Sequence, residues 1–200
     1  MKPALFPDSP TITFYDPLGE MLGAGDGYYE YSFDDAVKLA GHACPTVAGA
    51  FVMGLRAVDE LYAAETPTRG DIRVEIAASP SSGSTGPFSQ VLTLLTGAAA
   101  DNGFQGLNGK FVRQGLLTFN PDAAEGPIAA TFHRISNDTR VTLSYNPSAI
   151  PADPQTMELM KAVMSGHADD ETTRRFRTLW RKRVEAIVSD RGASTIQKVG

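Results

Sequence analysis

Residues 32–50, SFDDAVKLAGHACPTVAGA, contain the end of one predicted helix and the start of the next. Ser32, followed three residues later by Asp35, resembles a capping box and predicts the start of a short helix. Gly41 interrupts the helical pattern. Pro45 predicts the start of a second helix, because a proline at the first helical position lacks only an N–H that would have no partner there.

The spacing of apolar residues outside this break predicts a mixture of helices and strands. Spacings of three and four predict helices, whereas alternation bounded by turn residues predicts strands. In chain order these are strand 28–31, helices 32–39 and 45–62, strand 72–76, helix 88–96, strands 110–120, 128–135 and 140–145, and helices 154–165 and 170–190. Gly49 and Gly54 lower the helix propensity of 45–62, so we expect them to permit close packing against a neighbour.

The order of these elements predicts an α+β fold with an antiparallel or mixed sheet flanked by helices. At 200 residues and with no internal repeat, we expect one domain over 1–200. Its core is expected over about 30–150, followed by a helical C-terminal extension over 153–190.

The composition excludes several classes of protein. A net charge of −5 argues against a globally basic nucleic-acid-binding protein. No apolar run is long enough to cross a bilayer, and no signal peptide is visible, so we expect a cytoplasmic protein. The alternative is an exported protein whose signal peptide has been removed, because its sequence would look the same. Cys44 is the only cysteine, which excludes an intramolecular disulfide and any zinc finger built on several cysteines.

The segment Gly41-His-Ala-Cys-Pro carries the strongest chemical signal. It places His42 two residues from Cys44, in a loop that leads into a helix N-terminus, where the partial positive charge favours a thiolate. His42 and Cys44 are therefore candidate metal ligands and candidate catalytic residues. Two other interpretations remain open. One is a packed cysteine without chemistry, and the other is a metal-free pair in which Cys44 is the nucleophile and His42 its base.

Residues 32–50, with Gly-His-Ala-Cys-Pro followed by three residues and a glycine, resemble the Gly-His-x-Cys-Pro signature of the FmdE family. This family takes its name from one component of formylmethanofuran dehydrogenase. The resemblance extends over roughly residues 30–150, through an amphipathic helix, a strand, a helix that ends in Thr-Gly, and a hairpin. It implies an α+β core, a metal site at His42 and Cys44, and a homodimer.

The chain departs from the family pattern at two places. Many family members have a second cysteine near the position of Gly86 and Pro87, and this chain has none there. Some members end in a treble-clef zinc finger, whereas no cysteine follows Cys44 here. The first departure alters the ligand set that the resemblance implies, and the second removes the finger.

A catalytic zinc needs three protein ligands and an open position, so His42 and Cys44 require a further donor. His133, on a predicted strand, is the preferred third ligand because a strand holds a side chain more rigidly than a loop. His167, in the loop before the last helix, is the alternative. Each histidine also has an ordinary interpretation, His133 as a sheet-face residue and His167 as a solvated loop residue.

The tract Ser79-Pro-Ser-Ser-Gly-Ser-Thr-Gly-Pro precedes a predicted helix and lies where the second family cysteine would fall. We expect Ser82, Ser84 and Thr85 to line the pocket and contact a bound cofactor or small molecule, because backbone N–H groups at a helix N-terminus attract anions. A flexible loop without a ligand is the alternative. The tract has no lysine at Walker A spacing, so a nucleoside triphosphate is not expected.

The basic residues between Arg174 and Arg183 fall opposite an apolar stripe. This pattern predicts a packed C-terminal helix with a solvated basic face; an acidic partner or a membrane surface is the alternative.

The function expected from these observations is that of a zinc-binding FmdE-like protein, either an enzyme or an accessory protein, that acts on an unidentified small molecule. The alternative is a non-catalytic metal carrier or cofactor-binding module.

Overall fold

The computed structural model describes residues 4–122 and 126–199, and these form helices packed on two sheets. The helices are α1 (Pro17–Met21), α2 (Phe33–Ala40), α3 (Pro45–Tyr62), α4 (Thr85–Thr96), α5 (Thr156–Met164) and α6 (Asp170–Ser189). The strands are β1 (Thr11–Tyr15), β2 (Tyr28–Ser32), β3 (Ile72–Ile76), β4 (Leu117–Phe119), β5 (Ile128–Arg134), β6 (Thr139–Tyr145) and β7 (Ile196–Val199).

The larger sheet has the strand order β4-β3-β5-β6-β7. Strands β3 and β4 are parallel, and the other neighbours are antiparallel. β1 and β2 form a separate antiparallel pair. The described elements thus confirm the predicted α+β fold with a mixed sheet.

One face of the larger sheet packs against α3. On β5 and β6 the residues that face this helix are buried, among them Ala130, Phe132, Val141 and Leu143. Because side chains alternate between the two faces of a strand, the residues between them point to the opposite face. α4 and α6 pack against α3 as well, so this helix lies at the centre of the apolar core.

Two close approaches confirm the predicted role of the glycines in α3. A Cβ at Gly49 would overlap the aromatic ring of Tyr145, and a Cβ at Gly54 would overlap Leu95 Cδ1. The sheet and α4 can therefore approach the helix axis more closely than they could over any larger residue.

The predicted helices and most predicted strands are present at nearly the expected bounds. The strand predicted over 110–120 is confined to Leu117–Phe119. Phe111 and Gly115 have φ values of 60° and 71°, which lie in the left-handed region and are incompatible with a strand. β1 and β7 were not predicted. Both strands are short, and each forms by antiparallel pairing, β1 with β2 and β7 with β6.

The C-terminal helix α6 packs through Val184, Ile187 and Val188. Several of its basic side chains bind the protein itself: Arg183 donates to the carbonyl oxygens of Pro147 and Ile150, at 3.0 Å each. This arrangement agrees with the prediction of a packed helix. No helix among the described residues is long and apolar enough to cross a membrane.

We expect Gly49→Ala to destabilise the protein by about 1–3 kcal/mol, since the added methyl group has no room beside Tyr145. Gly86→Ala is the matched control, because it also adds a methyl group in a helix but the nearest atom, Pro80 O, is 4.0 Å away. Urea unfolding followed by circular dichroism measures both. Equal free energies of unfolding for the two variants would contradict the close contact between Gly49 and the ring of Tyr145.

Candidate functional site

The loop Gly41-His-Ala-Cys joins α2 to α3 and is held at both ends by helix caps. The Ser32–Asp35 capping box that opens α2 is present as predicted. Gly41 ends that helix with φ 75°, a conformation that glycine adopts without strain. Cys44 is the N-cap of α3 and Pro45 its first residue, also as predicted.

Two aromatic side chains from distant parts of the chain hold this loop in place. Trp180 of α6 donates its indole N–H to the carbonyl oxygen of Ala43, at 2.8 Å. Tyr145 of β6 donates its hydroxyl to the carbonyl oxygen of Pro45, at 2.6 Å. The backbone on either side of Cys44 is thus fixed by hydrogen bonds from both the sheet and the C-terminal helix.

His42 is exposed, and a hydrogen bond fixes its ring. Its Nδ1 lies 2.9 Å from the carbonyl oxygen of Ala40. A carbonyl oxygen can only accept, so Nδ1 carries the proton and the neutral ring presents the lone pair of Nε2. This is the arrangement in which a histidine binds a metal through Nε2, its other nitrogen being oriented by a backbone acceptor.

Cys44 is half-buried and packs at the edge of the core. Its Sγ accepts a hydrogen bond from the backbone N–H of Val47, at 3.5 Å, which is the contact expected of an N-cap side chain. The thiol therefore serves the helix N-terminus while remaining partly accessible.

A small cavity of about 170 Å³ lies beside the imidazole. Its lining combines the loop, the end of α2 and the start of α4, and consists of Leu39, Ala40, His42, Gly86, Pro87 and Gln90. A larger cavity of about 490 Å³ shares Leu39 and Gln90 with it. The two cavities are thus neighbours along the outer side of α4.

The structure places Ser82, Ser84 and Thr85 together but in a different cavity from His42. That cavity, about 410 Å³, also includes Ala78 and Ile128. Ser84 is the N-cap residue of α4, although its side chain makes no capping hydrogen bond, and Thr85 is buried. Of the tract singled out in the sequence, Gly86 and Pro87 line the cavity at His42, whereas the hydroxyl residues line the adjacent one.

The structure does not bring His133 together with His42 and Cys44. His133 pairs with Arg73 and Arg140 across the strands, on the face of the sheet opposite to α3. Its Nε2 lies 2.6 Å from Asp138 Oδ1 in the β5–β6 turn. Five residues of strand, about 16 Å at the usual rise, separate it from Ile128, which pairs with Tyr145 beside the loop.

His167 also lies apart from the loop. It is exposed between α5 and α6, and its Nδ1 lies 3.0 Å from Ser165 Oγ. α6 begins at Asp170 and reaches the loop at Trp180, about 15 Å further along its axis. Over residues 4–122 and 126–199 there is no cluster of three or more histidine, cysteine, aspartate or glutamate side chains that could hold a metal ion.

Sequence reasoning missed Tyr145 and Trp180 as residues that position the site. They lie 100 and 137 residues from their partners, so no local spacing connects them to the loop. The one available signal was that a buried tyrosine or tryptophan needs a partner for its polar hydrogen.

Comparison with known protein families relates most of the chain to a described family. The family model described as FmdE, molybdenum formylmethanofuran dehydrogenase operon, matches residues 39–194. The matched region begins at the end of α2, includes the whole loop, and extends through α6. No curated protein matches the chain.

We expect Tyr145→Phe to lower the free energy of unfolding by about 1 kcal/mol and to raise the reactivity of Cys44 several-fold, because the backbone next to Cys44 loses a partly buried hydrogen bond. Urea unfolding and the rate of reaction with a disulfide reagent measure the two effects. Tyr28→Phe, at an exposed position, is the control and should change neither. Unchanged thiol reactivity in Tyr145→Phe would show that this hydrogen bond does not restrain the loop.

Proposed function

The chain belongs to the FmdE family, and from this premise we propose that it binds one transition-metal ion, zinc, through His42 and Cys44, and that it acts on a small molecule bound beside the metal. The observation that carries this proposal is the contact between His42 Nδ1 and Ala40 O: it favours the proton on Nδ1 and leaves the Nε2 lone pair available, two residues from the only thiol. Imidazole and thiolate are both ligands that zinc prefers.

The fit of these residues to zinc is partial within one chain. They provide two donors, and a protein zinc site has three or four. Water, the small molecule or a second copy of the chain must supply the remaining ligands. A symmetric homodimer would bring two more donors of the same kind, so we include a homodimer in the proposal.

The residues around the loop have separate roles in this proposal. His42 and Cys44 hold the ion, while Trp180 and Tyr145 fix the backbone that carries them. A bound zinc ion polarises a carbonyl group or activates a water molecule. Leu39 and Gln90, which border both cavities along α4, would contact the small molecule.

The proposal includes a cytoplasmic location, where a reducing environment would keep Cys44 available as a ligand. Part of the small molecule would extend past Gly86 into the neighbouring cavity. There it would contact Ser82, Ser84 and Thr85.

A second function is favoured by the exposure of the site. His42 is exposed, and no cluster of three or more donors lies among the described residues, which is typical of an ion that must be transferred rather than retained. The alternative is therefore a metal carrier, or a module that presents a cofactor to a partner protein. A catalyst would instead be expected to hold its ion in a preorganised site supported by outer-shell hydrogen bonds.

Metal content tests the ligand assignment. We expect wild-type protein, after reconstitution with zinc and desalting, to retain up to one equivalent per chain by elemental mass spectrometry. His42→Ala and Cys44→Ser should each lose it, because one remaining donor binds zinc weakly. His167→Ala is the control and should retain the wild-type content. Metal retained in both loop variants would refute the assignment, and a loss in His133→Ala would restore that residue as a ligand.

The rate of zinc transfer to a chromogenic chelator distinguishes the two functions. A carrier is expected to release its ion within seconds to minutes, and a catalytic centre only over hours. Sedimentation of the zinc-loaded and zinc-free protein should be compared at the same time. A dimer that forms only with zinc would show that the second copy completes the site.

A further inference from the structure

A second cleft, of about 480 Å³, lies away from the loop. Its lining includes Arg69, Gly70, Asp71, Val112, Arg113 and Arg134. No lining residue is shared with the cavity at His42. The cleft joins the start of β3, the end of β5 and the segment before β4, and it is notable for three guanidinium groups against one carboxylate.

Arg113 is the unusual member of this group. It is only 8% exposed, and its Nη2 donates to Asp16 Oδ1 at 2.8 Å. Its Nη1 is shielded from water and has no hydrogen-bond partner among the described residues. A buried guanidinium donor without an acceptor is costly, and native proteins rarely leave one.

The other two arginines are held by the protein. Arg69 donates to Asp16 and to the carbonyl oxygens of Leu94 and Leu95. Arg134 donates to Leu61 O, Ser136 Oγ and Glu65. Both contribute positive charge to the cleft, but Arg113 is the one with an uncommitted buried nitrogen.

The acidic groups nearby do not supply the missing acceptor. Asp16 also accepts from the backbone N–H groups of Leu18 and Gly19, so its oxygens are shared among four donors. Asp71, on the cleft wall, accepts from Tyr62 and Ser136. Burial lowers the pKa of Arg113 and the Asp16 carboxylate opposes that shift, yet arginine remains charged in proteins.

The backbone is shaped to admit the guanidinium of Arg113. Gly70 has φ 86°, and a Cβ there would overlap Arg113 Nη1. Gly97 has φ 74°, and a Cβ there would lie 3.1 Å from the same atom. The free end of Arg113 thus lies against Gly70, which is itself part of the cleft wall.

We propose that this cleft binds a small oxyanion, the carboxylate or phosphate group of a small molecule, with Arg113 Nη1 as the principal donor. An oxyanion would satisfy the unpaired nitrogen by a charge-assisted hydrogen bond, and Arg69 and Arg134 would add attraction without rearrangement. The volume is within the range of small-molecule sites. Because Nη1 is shielded and lies against Gly70, the ligand must displace part of the cleft wall to reach it.

Calorimetric titration with two probes, inorganic phosphate and succinate, at constant ionic strength tests the proposal. We expect saturable binding of at least one probe to the wild-type protein, and the tighter probe identifies the anion class. Arg113→Lys should weaken binding at least tenfold, because a single ammonium group cannot serve both Asp16 and the ligand. Arg140→Lys, at an exposed position on β6, is the matched control and should stay within twofold of wild type.

Two further measurements cover the cases in which Arg113→Lys does not fold or the proposed metal site is wrong. Should Arg113→Lys fail to fold, the melting temperature of the wild-type protein must rise with phosphate or succinate relative to chloride at equal ionic strength. His42→Ala should bind the anion as wild type does, so the failure of the metal proposal would leave this one standing. Absence of saturation by both probes, or equal weakening in Arg113→Lys and Arg140→Lys, would overturn it.

Discussion

The contact between Tyr145 and the first turns of α3 (Pro45–Tyr62) is the constraint on which the rest of the structure depends. The ring lies where a Cβ of residue 49 would stand, and its hydroxyl binds Pro45 O. Tyr145 also pairs with Ile128 and Ile196, so it ties the helix to three strands at once. Burial raises the pKa of Tyr145 far above its usual value, which keeps the hydroxyl protonated and able to donate at any physiological pH.

This contact transmits the position of the sheet to the loop at His42 and Cys44. The loop is only four residues long and joins two capped helices, so it has little freedom of its own. Trp180 adds a second hydrogen bond from α6 (Asp170–Ser189), on the other side of Cys44. The proposed ligands are therefore held both by the local helix caps and by hydrogen bonds from distant elements.

The sequence alone was sufficient for features that depend on neighbouring residues. The Ser32–Asp35 capping box, the proline at the start of α3 and the α+β order of elements all follow from spacing. It was insufficient where partners are far apart. No local spacing singles out Asp16, yet it binds arginines 53 and 97 positions away. The segment before Leu117 was predicted as part of a strand over 110–120. The spacing of its apolar residues does not reveal that Phe111 adopts a left-handed backbone conformation, which is incompatible with a strand.

The alternation of side chains along β5 (Ile128–Arg134) could have predicted from the sequence which face of the sheet carries His133. Ala130 and Phe132 are buried toward α3, and the period of two places Thr131 and His133 on the opposite face. That face is opposite to the one that packs against α3, so the rigidity of the strand alone gives no reason to prefer His133 as the third ligand, and the assignment remains a prediction. The proposed site has two donors, His42 and Cys44. Such a site binds zinc firmly only when a further ligand completes the coordination. Occupancy of the proposed site would then depend on the small molecule or second copy of the chain that brings the next ligand, which couples metal binding to the encounter in which the metal is used.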